Sequence, residues 1–355
     1  IRPLIFRQER VGVNLADGYS RITTGRKTGV FAMQAGPGAE NAFAGVATAY
    51  ADSVPILLLP ASSPRARHGV HPTFRPSETY STITKWAGNV SVPDSIPEML
   101  RRSFSQLRMG RPGPVLLEIP SDILRGEIPE DLGTSYNSVV SKRSAGDPQD
   151  IKTAAKMLLG AQRPIIQAGQ GVLYANSAEK LKQLAELSGV PVMTTMAGKS
   201  SFPENHPLSL GTRSSTTTDM VVHFLDKSDL ILGVGCSFTR IHYGMNEFDK
   251  KILMQVTNCP DDVNKDYSPD HVIIGDAELV LDELITELKD LLERTNEYQP
   301  FDFNDEIDTV RTQWLEHWMP YLTSDETPIN PYRVVWELMK NTDPRMTIVT
   351  HDSGS

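Results

Sequence analysis

The sequence lacks three features that mark particular classes of protein. Only two of its 355 residues are cysteines, Cys236 and Cys259, and they form no Cys-x-x-Cys pair, which argues against a disulfide framework and a cysteine-rich metal or redox motif. The longest strongly apolar run, residues 54–61, is far shorter than the ~20 residues that cross a bilayer. We therefore expect a cytoplasmic protein without a membrane partner.

An excess of positive charge is also missing. Lysine and arginine total 35 against 44 acidic residues, so the net charge is -9. A negative surface repels phosphate backbones and anionic lipids, and we expect no nucleic acid partner. The first residues contain neither an initiator Met nor an apolar signal core, so we expect the chain to be N-terminally incomplete.

Short apolar runs alternate with helical patterns along most of the chain, which predicts an α/β protein with consecutive doubly wound parallel-sheet domains. The first domain is predicted over residues 1–124, and a linker rich in turn residues over 125–150. Within the first domain we expect strands at 3–6, 29–34, 55–59 and 115–119, and helices at 9–19 and 40–50.

A second series of strands and helices predicts a central Rossmann-like domain over residues 151–300. A looser linker is expected over 301–327 and the beginning of a third, truncated domain over 328–355. The predicted elements are strands near 164–167, 191–194, 230–233, 253–256, 272–274 and 347–350, and helices at 177–188, from 277 through 292, and at 331–339.

Glu9 directly follows the first predicted strand. Its carboxylate would lie at the carboxyl end of that strand, where open α/β sheets bind ligands. A single glutamate in such a place is more often a helix cap or a solvated charge. The residues that follow it change this interpretation.

Several motifs follow Glu9 in order and with compact spacing, and together they resemble a known family. These are ADGYSR at 16–21, Gly25, GPG at 36–38, Asn41, Gly45, DSVP at 52–55 and GRPGPVLLEIPSD at 110–122. The set resembles the pyrimidine-binding domain of the thiamine-diphosphate enzymes of the acetolactate synthase, 2-oxo acid decarboxylase and pyruvate oxidase family. The motifs at 168–171, 194–198 and 233–240 resemble the middle domain of the same family.

The resemblance implies acetolactate synthase-like decarboxylation or carboligation of a 2-oxo acid with thiamine diphosphate. Glu9 would hydrogen-bond the aminopyrimidine ring nitrogen and so generate the base that forms the thiazolium ylid. The cofactor would accept the electrons that are released when carbon dioxide leaves. We expect Glu9 to be buried with a raised pKa, which suits proton sharing with a weakly basic ring.

The resemblance assigns cofactor contacts to four more residues. At Gly36-Pro37-Gly38 the backbone would approach the cofactor closely, which a Cβ would block. Asn41 either orients the pyrimidine or caps the following helix.

Substrate chemistry is harder to place, because a Phe-Gln-Glu motif of acetolactate synthases is absent from residues 65–86. His68 and His71 stand there instead, as proton carriers, as polar pocket groups or as residues of a solvated loop. Their His-x-x-His spacing is also found in metal sites, but no carboxylate or cysteine completes a set of metal ligands, so we assign no metal site. Phe74, Arg75 and Lys85 are further candidates, and the 2-oxo acid and its acceptor stay open.

Other ligands follow from the resemblance. Family members bind FAD, ADP or nothing in the middle domain, and here Gly169 and Gly171 lack the third glycine of a dinucleotide fingerprint, so they mark a nucleotide site or an inherited turn. The family holds Mg²⁺ with a Gly-Asp-Gly motif and a later Asn, and this sequence has no such motif. Residues 275–277 (Gly-Asp-Ala) only resemble it and lie where the middle domain ends, so Mg²⁺ would bind in the missing third domain. The cofactor would lie between subunits of a homodimer or homotetramer.

Four alternative functions remain open from the sequence. Within the family they are an FAD-dependent oxidase and an acyl-CoA lyase. Outside it they are a nucleotide-binding dehydrogenase and a non-catalytic binding protein. Glu9 and the GPG turn distinguish the functions inside the family from those outside it, because a dehydrogenase needs neither this carboxylate nor this turn.

Overall fold

The computed structural model describes residues 3–134, 136–214, 216–240, 248–294 and 298–349. In these residues the strands form two sheets, and every strand pair in both sheets is parallel. The expected α/β class with consecutive parallel-sheet domains is thereby confirmed. None of the described helices is both long and apolar enough to span a bilayer.

The first sheet has four strands in the order β1-β2-β4-β3. Its strands are β1 Gly29–Met33, β2 Ile56–Ser62, β3 Trp86–Asn89 and β4 Val115–Pro120. The helices of this part are α1 Glu9–Ile22, α2 Pro37–Ala51, α3 Pro76–Thr79, α4 Ile96–Arg108, α5 Ser121–Leu124 and α6 Glu130–Thr134, with single 3₁₀ turns at Arg65–Arg67, Tyr80–Thr82 and Pro93–Ser95.

The second sheet has six strands in the order β10-β9-β8-β5-β6-β7. Counted from β5, this is the 3-2-1-4-5-6 order of a doubly wound dinucleotide-binding fold. Its strands are β5 Pro164–Ala168, β6 Val192–Thr195, β7 Ser209–Arg213, β8 Leu230–Val234, β9 Ile252–Thr257 and β10 His271–Ile274. The helices are α7 Pro148–Gly160, α8 Gln170–Tyr174, α9 Ala178–Ser188, α10 Asp219–Lys227, α11 Ala277–Arg294, α12 Asn304–Leu322 and α13 Pro331–Asn341, with a 3₁₀ turn at Pro260–Asp262.

Local sequence explains where several helices begin and end. α7 starts after Asp147, whose carboxylate accepts a hydrogen bond of 2.7 Å from the backbone N–H of Gln149. α13 starts in the same way after Asn330, and both helices carry proline in their first turn. α9 ends at Gly189, whose φ of 73° lies in the left-handed region that glycine adopts readily.

The first sheet lacks the strand predicted at residues 3–6. These residues form a loop, and Ile5 is 96% exposed. The prediction is wrong because apolar residues make a strand only where a neighbouring strand accepts their backbone hydrogen bonds. Glu9 therefore does not follow a strand but is the first residue of α1.

Two corrections concern the C-terminal part. Residues 347–349 are not a buried strand, since Ile348 is 93% exposed, and Thr350 lies outside the described residues. The stretch expected to be loose at 301–327 contains α12, which packs Ile307 and Val310 into the core of the second sheet. The domain boundaries themselves stay predictions.

The core of the second sheet is one continuous cluster that extends from Ile151 to Val310 and includes Cys236. Three smaller clusters support the first sheet. Both cysteines are free. Side chains and loops from both sheets line a cleft between them, described below.

Candidate functional site

The carboxylate of Glu9 is fixed at the point where two helices begin. Glu9 opens α1, and the side-chain amide of Asn41 in α2 donates a hydrogen bond of 2.7 Å to Glu9 Oε2. The side chain of Glu9 is half-exposed. The hydrogen bond holds Oε2, and Oε1 lies on the side of Gly38.

The surroundings of Glu9 lower its pKa. The hydrogen bond from Asn41 is the largest cause, the backbone N–H of Glu9 itself adds to it, and the small effect of burial acts in the opposite direction. The expectation of a buried Glu9 with a raised pKa is wrong for this chain, because the side chain is half-exposed and faces two donors.

The two glycines of the GPG turn are required for different reasons. Gly36 is the N-cap of α2 with a φ of 63°, a conformation that favours glycine, and Pro37 occupies the first helical position. A Cβ on Gly38 would lie 2.8 Å from Gln34 Cβ and 3.4 Å from Glu9 Oε1. The missing Cβ of Gly38 therefore lets Gln34 and the Glu9 carboxylate pack closely against the backbone of α2.

Asn41 is not a helix cap. It is the fifth residue of α2, and the N-cap position belongs to Gly36. Its amide points across to α1 and donates to Glu9. Of the two roles that the sequence leaves open, the capping role is excluded by this geometry.

His68 lies on the loop after β2, at the same carboxyl edge of the first sheet. Its Nε2 is buried, lies 3.9 Å from Oε1 of Glu118 on β4, and has no hydrogen-bond partner in the described parts of the chain. The other oxygen of Glu118, Oε2, accepts a hydrogen bond of 2.8 Å from the backbone N–H of Ser77. Glu118 is 2% exposed.

The loop that carries His68 is tied to the sheet at its start and its end. Arg65 donates to Asp122 Oδ2 at 2.7 Å and to the carbonyl oxygen of Ser91 at 2.7 Å. At the other end the Tyr80 hydroxyl donates to the carbonyl oxygen of Ala39, in the first turn of α2. The loop therefore passes between the end of β4 and the helix that carries Gly38.

The remaining sequence candidates lie apart from this arrangement. His71 is exposed and has no hydrogen-bond or ion-pair partner among the described residues. Arg75 is exposed and pairs with Glu78, and Phe74 packs against the apolar core of the first sheet.

Lys85 is placed away from the site. It precedes β3 and so lies at the amino edge of the sheet, opposite to Gly36 and His68. Its ammonium donates to the carbonyl oxygens of Gln106 (2.6 Å) and Met109 at the end of α4, where a cation stabilises a helix. Burial lowers the pKa of Lys85. Its role is to hold α4.

Glu118 and Asp122 are site residues that the sequence interpretation missed. Glu118 interrupts an otherwise apolar strand, VLLEIP, and a carboxylate inside such a run is rarely buried without a partner. An acidic residue inside an apolar strand was therefore the sequence feature that could have identified Glu118. Its partner could not be read from the sequence, because His68 lies fifty residues earlier on a different loop.

A cleft of about 1060 Å³ opens at the carboxyl edge of the second sheet. It lies where the strand order reverses, between β5 and β8, which is the usual ligand position in such sheets. Both parts of the chain line it, with Gly25 and Ser53 from the first part and Thr195 and Arg213 from the second.

The glycines Gly169 and Gly171 serve packing at this cleft. A Cβ on Gly169 would lie 2.3 Å from the carbonyl oxygen of Gly235, and one on Gly171 would lie 2.7 Å from Gly235 Cα. The loops after β5 and β8 thus touch through glycine backbone. This accounts for both glycines without a ligand.

Comparison with known proteins identifies the class to which this geometry belongs. "Thiamine pyrophosphate enzyme, N-terminal TPP binding domain" matches residues 1–81, and "Thiamine pyrophosphate enzyme, central domain" matches residues 151–284. The chain belongs to the thiamine pyrophosphate enzyme family, of acetolactate synthase-like type. The resemblance seen in the sequence is confirmed.

Three of the curated proteins to which the chain is similar are named as acetolactate synthase large subunits. A probable acetolactate synthase large subunit of Methanococcus aeolicus is 33% identical over 99% of this chain and 60% of its own length. One from Methanocaldococcus jannaschii is 32% identical with the same coverage, and isozyme 3 of Escherichia coli K12 is 29% identical over 99% of this chain and 61% of its own length. The chain spans about 60% of the length of these relatives.

Proposed function

We propose that the protein containing this chain is a thiamine-diphosphate-dependent enzyme that decarboxylates a 2-oxo acid, joins it to an acceptor, or does both. The observation that carries the proposal is the Glu9 carboxylate, fixed by Asn41 beside the backbone of Gly38. Family membership and the names of the relatives support the same conclusion.

The residues present fit an aminopyrimidine ring. Such a ring needs a carboxylate at its edge, and Glu9 provides one beside Gly38, which itself adds no side chain there. Gly36 and Pro37 are proposed to shape the turn that brings this backbone to the ring. Asn41 is proposed to orient the ring indirectly, through Glu9.

The ionised state of Glu9 decides what it does in this proposal. A carboxylate with a lowered pKa keeps its negative charge and favours a proton on the ring nitrogen that it contacts. A ring lying over Glu9 would exclude water from the pair and strengthen the interaction. Thiamine diphosphate, when bound, supplies the electron sink for loss of carbon dioxide.

His68 and His71 are proposed as proton-transfer or polar pocket groups for the substrate. His68 is better supported, because its loop is anchored beside α2 and its imidazole lies near a buried carboxylate. His71 would act only from the exposed surface of that loop.

Further partners follow from the same proposal. Mg²⁺ is proposed to bind the diphosphate, because hard divalent cations bind phosphate oxygens, with ligands in the diphosphate-binding domain expected from residue 328 onward. The cofactor is proposed to lie between the subunits of a homodimer or homotetramer. A cytoplasmic location is proposed from the two free cysteines.

A second ligand is proposed for the cleft between the two sheets. Its volume of about 1060 Å³ and its position at the switch point of a 3-2-1-4-5-6 sheet favour a nucleotide such as FAD or ADP. A yellow colour with flavin absorbance in the purified protein would identify FAD, and nucleotide release on heating would identify ADP.

The proposal is tested by replacing Glu9 in the protein at its natural length. With thiamine diphosphate, Mg²⁺ and pyruvate, we expect Glu9→Gln to lower kcat by about two orders of magnitude or more, because a proton-transfer partner is lost. Glu40→Gln is the matched control, since Glu40 is exposed in the first turn of α2. Unchanged turnover in Glu9→Gln would contradict the mechanism.

A further inference from the structure

Glu118 carries a buried charge that the fold has to compensate. Its side chain is almost fully buried on β4, the strand between β2 and β3. A buried carboxylate is costly unless it is paired and hydrogen-bonded. In the described part of the chain its one hydrogen-bond donor is the Ser77 N–H and its one ion-pair partner is His68.

The two oxygens of Glu118 have different tasks. Oε2 accepts from Ser77 and so holds the first turn of α3, whereas Oε1 faces Nε2 of His68 at 3.9 Å. That nitrogen is buried and has no other partner among the residues that the structure describes. At this distance the carboxylate oxygen favours a proton on Nε2 in the resting protein, and such contacts often shorten to hydrogen bonds in the complex with substrate.

We propose that Glu118 is a positioning residue, which holds His68 in the Nε2–H tautomer and leaves Nδ1 as the nitrogen that serves the substrate. This inference rests on the proposed function, since it assigns His68 a proton-transfer role in the reaction at Glu9. The carboxylate accepts from Nε2, and Nδ1 is then an unprotonated nitrogen that accepts a proton from substrate and returns it. No electron or other group is transferred in this step.

The position of the loop supports this assignment. It is held at Asp122 by Arg65 and at α2 by Tyr80. Between these anchors Glu118 holds Ser77 by a hydrogen bond and lies 3.9 Å from the imidazole of His68. The imidazole is therefore held at the carboxyl edge where Gly38 also lies. A histidine restrained in this way loses little conformational freedom when it acts.

The test uses Glu118→Gln, which preserves side-chain volume and an oxygen for Ser77. The new amide would donate to His68 Nε2, so the ring would have to carry its proton on Nδ1. In histidine ¹⁵N-labelled protein at alkaline pH, the nitrogen shifts of His68, assigned with His68→Gln, are expected to show Nε2–H in the wild type and Nδ1–H in the variant.

Turnover is measured on the same proteins. We expect Glu118→Gln to lower kcat about 10-fold to 100-fold with KM changed less, as for other residues that orient functional imidazoles. Glu98→Gln on the exposed face of α4 is the matched control. The proposal is overturned by an Nδ1–H tautomer in the wild type, or by a kcat in Glu118→Gln equal to that of the control.

The tautomer of His68 can be measured without turnover, so the proposed function and the positioning role of Glu118 can be contradicted independently. A wild type that is inactive with thiamine diphosphate and every 2-oxo acid tested contradicts the proposed function. An active wild type in which Glu118→Gln changes neither the tautomer nor kcat contradicts only the positioning role.

Discussion

The two sheets of this chain bury their apolar residues to different degrees. The second sheet is supported by one continuous core, to which α12 also contributes. The first sheet has three separate clusters, and α1 next to it leaves Val11, Leu15, Tyr19 and Ile22 exposed. These four side chains recur at helical spacing and so form one stripe.

The continuous core and the candidate functional site lie in different parts of the chain. The part with the complete core provides a rigid body at one side of the cleft. The part with the divided core carries Glu9, Gly38 and His68, and an exposed apolar stripe of this kind marks a contact surface. This agrees with the proposed assembly, in which the cofactor lies between subunits.

The largest expected effect tests the continuous core. Leu232 on β8 is fully buried, and Leu232→Ala should lower the free energy of unfolding by about 2–5 kcal/mol, because it removes buried methyl groups and leaves a cavity. Leu15→Ala, on the exposed stripe, should change it by about 0.5 kcal/mol or less in the unassembled chain. Urea unfolding followed by circular dichroism measures both. Equal losses would remove the contrast between the two parts.

A smaller effect tests the close packing at Gly38. In Gly38→Ala the new Cβ would meet Gln34 Cβ and approach Glu9, so affinity for thiamine diphosphate should fall about tenfold or more. Gly18→Ala is the matched control, because nothing lies within 4 Å of its Cβ, and a helical alanine should stabilise α1 by about 0.5–1 kcal/mol. Calorimetric titration and thermal melting distinguish the two results.

The smallest effect concerns the attachment of α12 to the second sheet. Burial tends to raise the pKa of Glu306, but hydrogen bonds from Arg163, His223 and Lys227 outweigh it and lower the pKa to about 2, from an ordinary 4.5. The stabilisation is therefore complete above pH 4.5 and is lost as the pH falls toward 2.

We expect Glu306→Gln to lower the free energy of unfolding by about 1 kcal/mol at pH 7, because the ion pairs are partly exposed. The gap to the wild type should narrow when unfolding is measured at pH 4. Glu316→Gln, at an exposed position of the same helix, should show neither effect. A gap that widens at low pH would contradict the assignment.

The buried strands were the easiest part of the fold to predict. β2, β4, β5, β8 and β9 are apolar runs that only a sheet interior accommodates, and all lie where the sequence places them. The missed strands, β3 and β7, are edge strands that contain Gly88 and Gly211. Edge strands need less apolar surface, so their sequences resemble loops.

The site was predictable only in part. The motifs place Glu9, Gly38 and Asn41 near one another, and the structure does bring these three together. The electrostatics of Glu9 could not be predicted, since its exposure depends on how α1 begins. The contact between His68 and Glu118 depends on the path of a loop, and no local pattern encodes that path.

The position of β1 has a consequence for the handling of the protein. β1 lies at the edge of the first sheet, with β2 on one side, Val30 half exposed and no other described strand beside it. An open edge offers backbone donors and acceptors to a strand of another molecule, which is a route to aggregation.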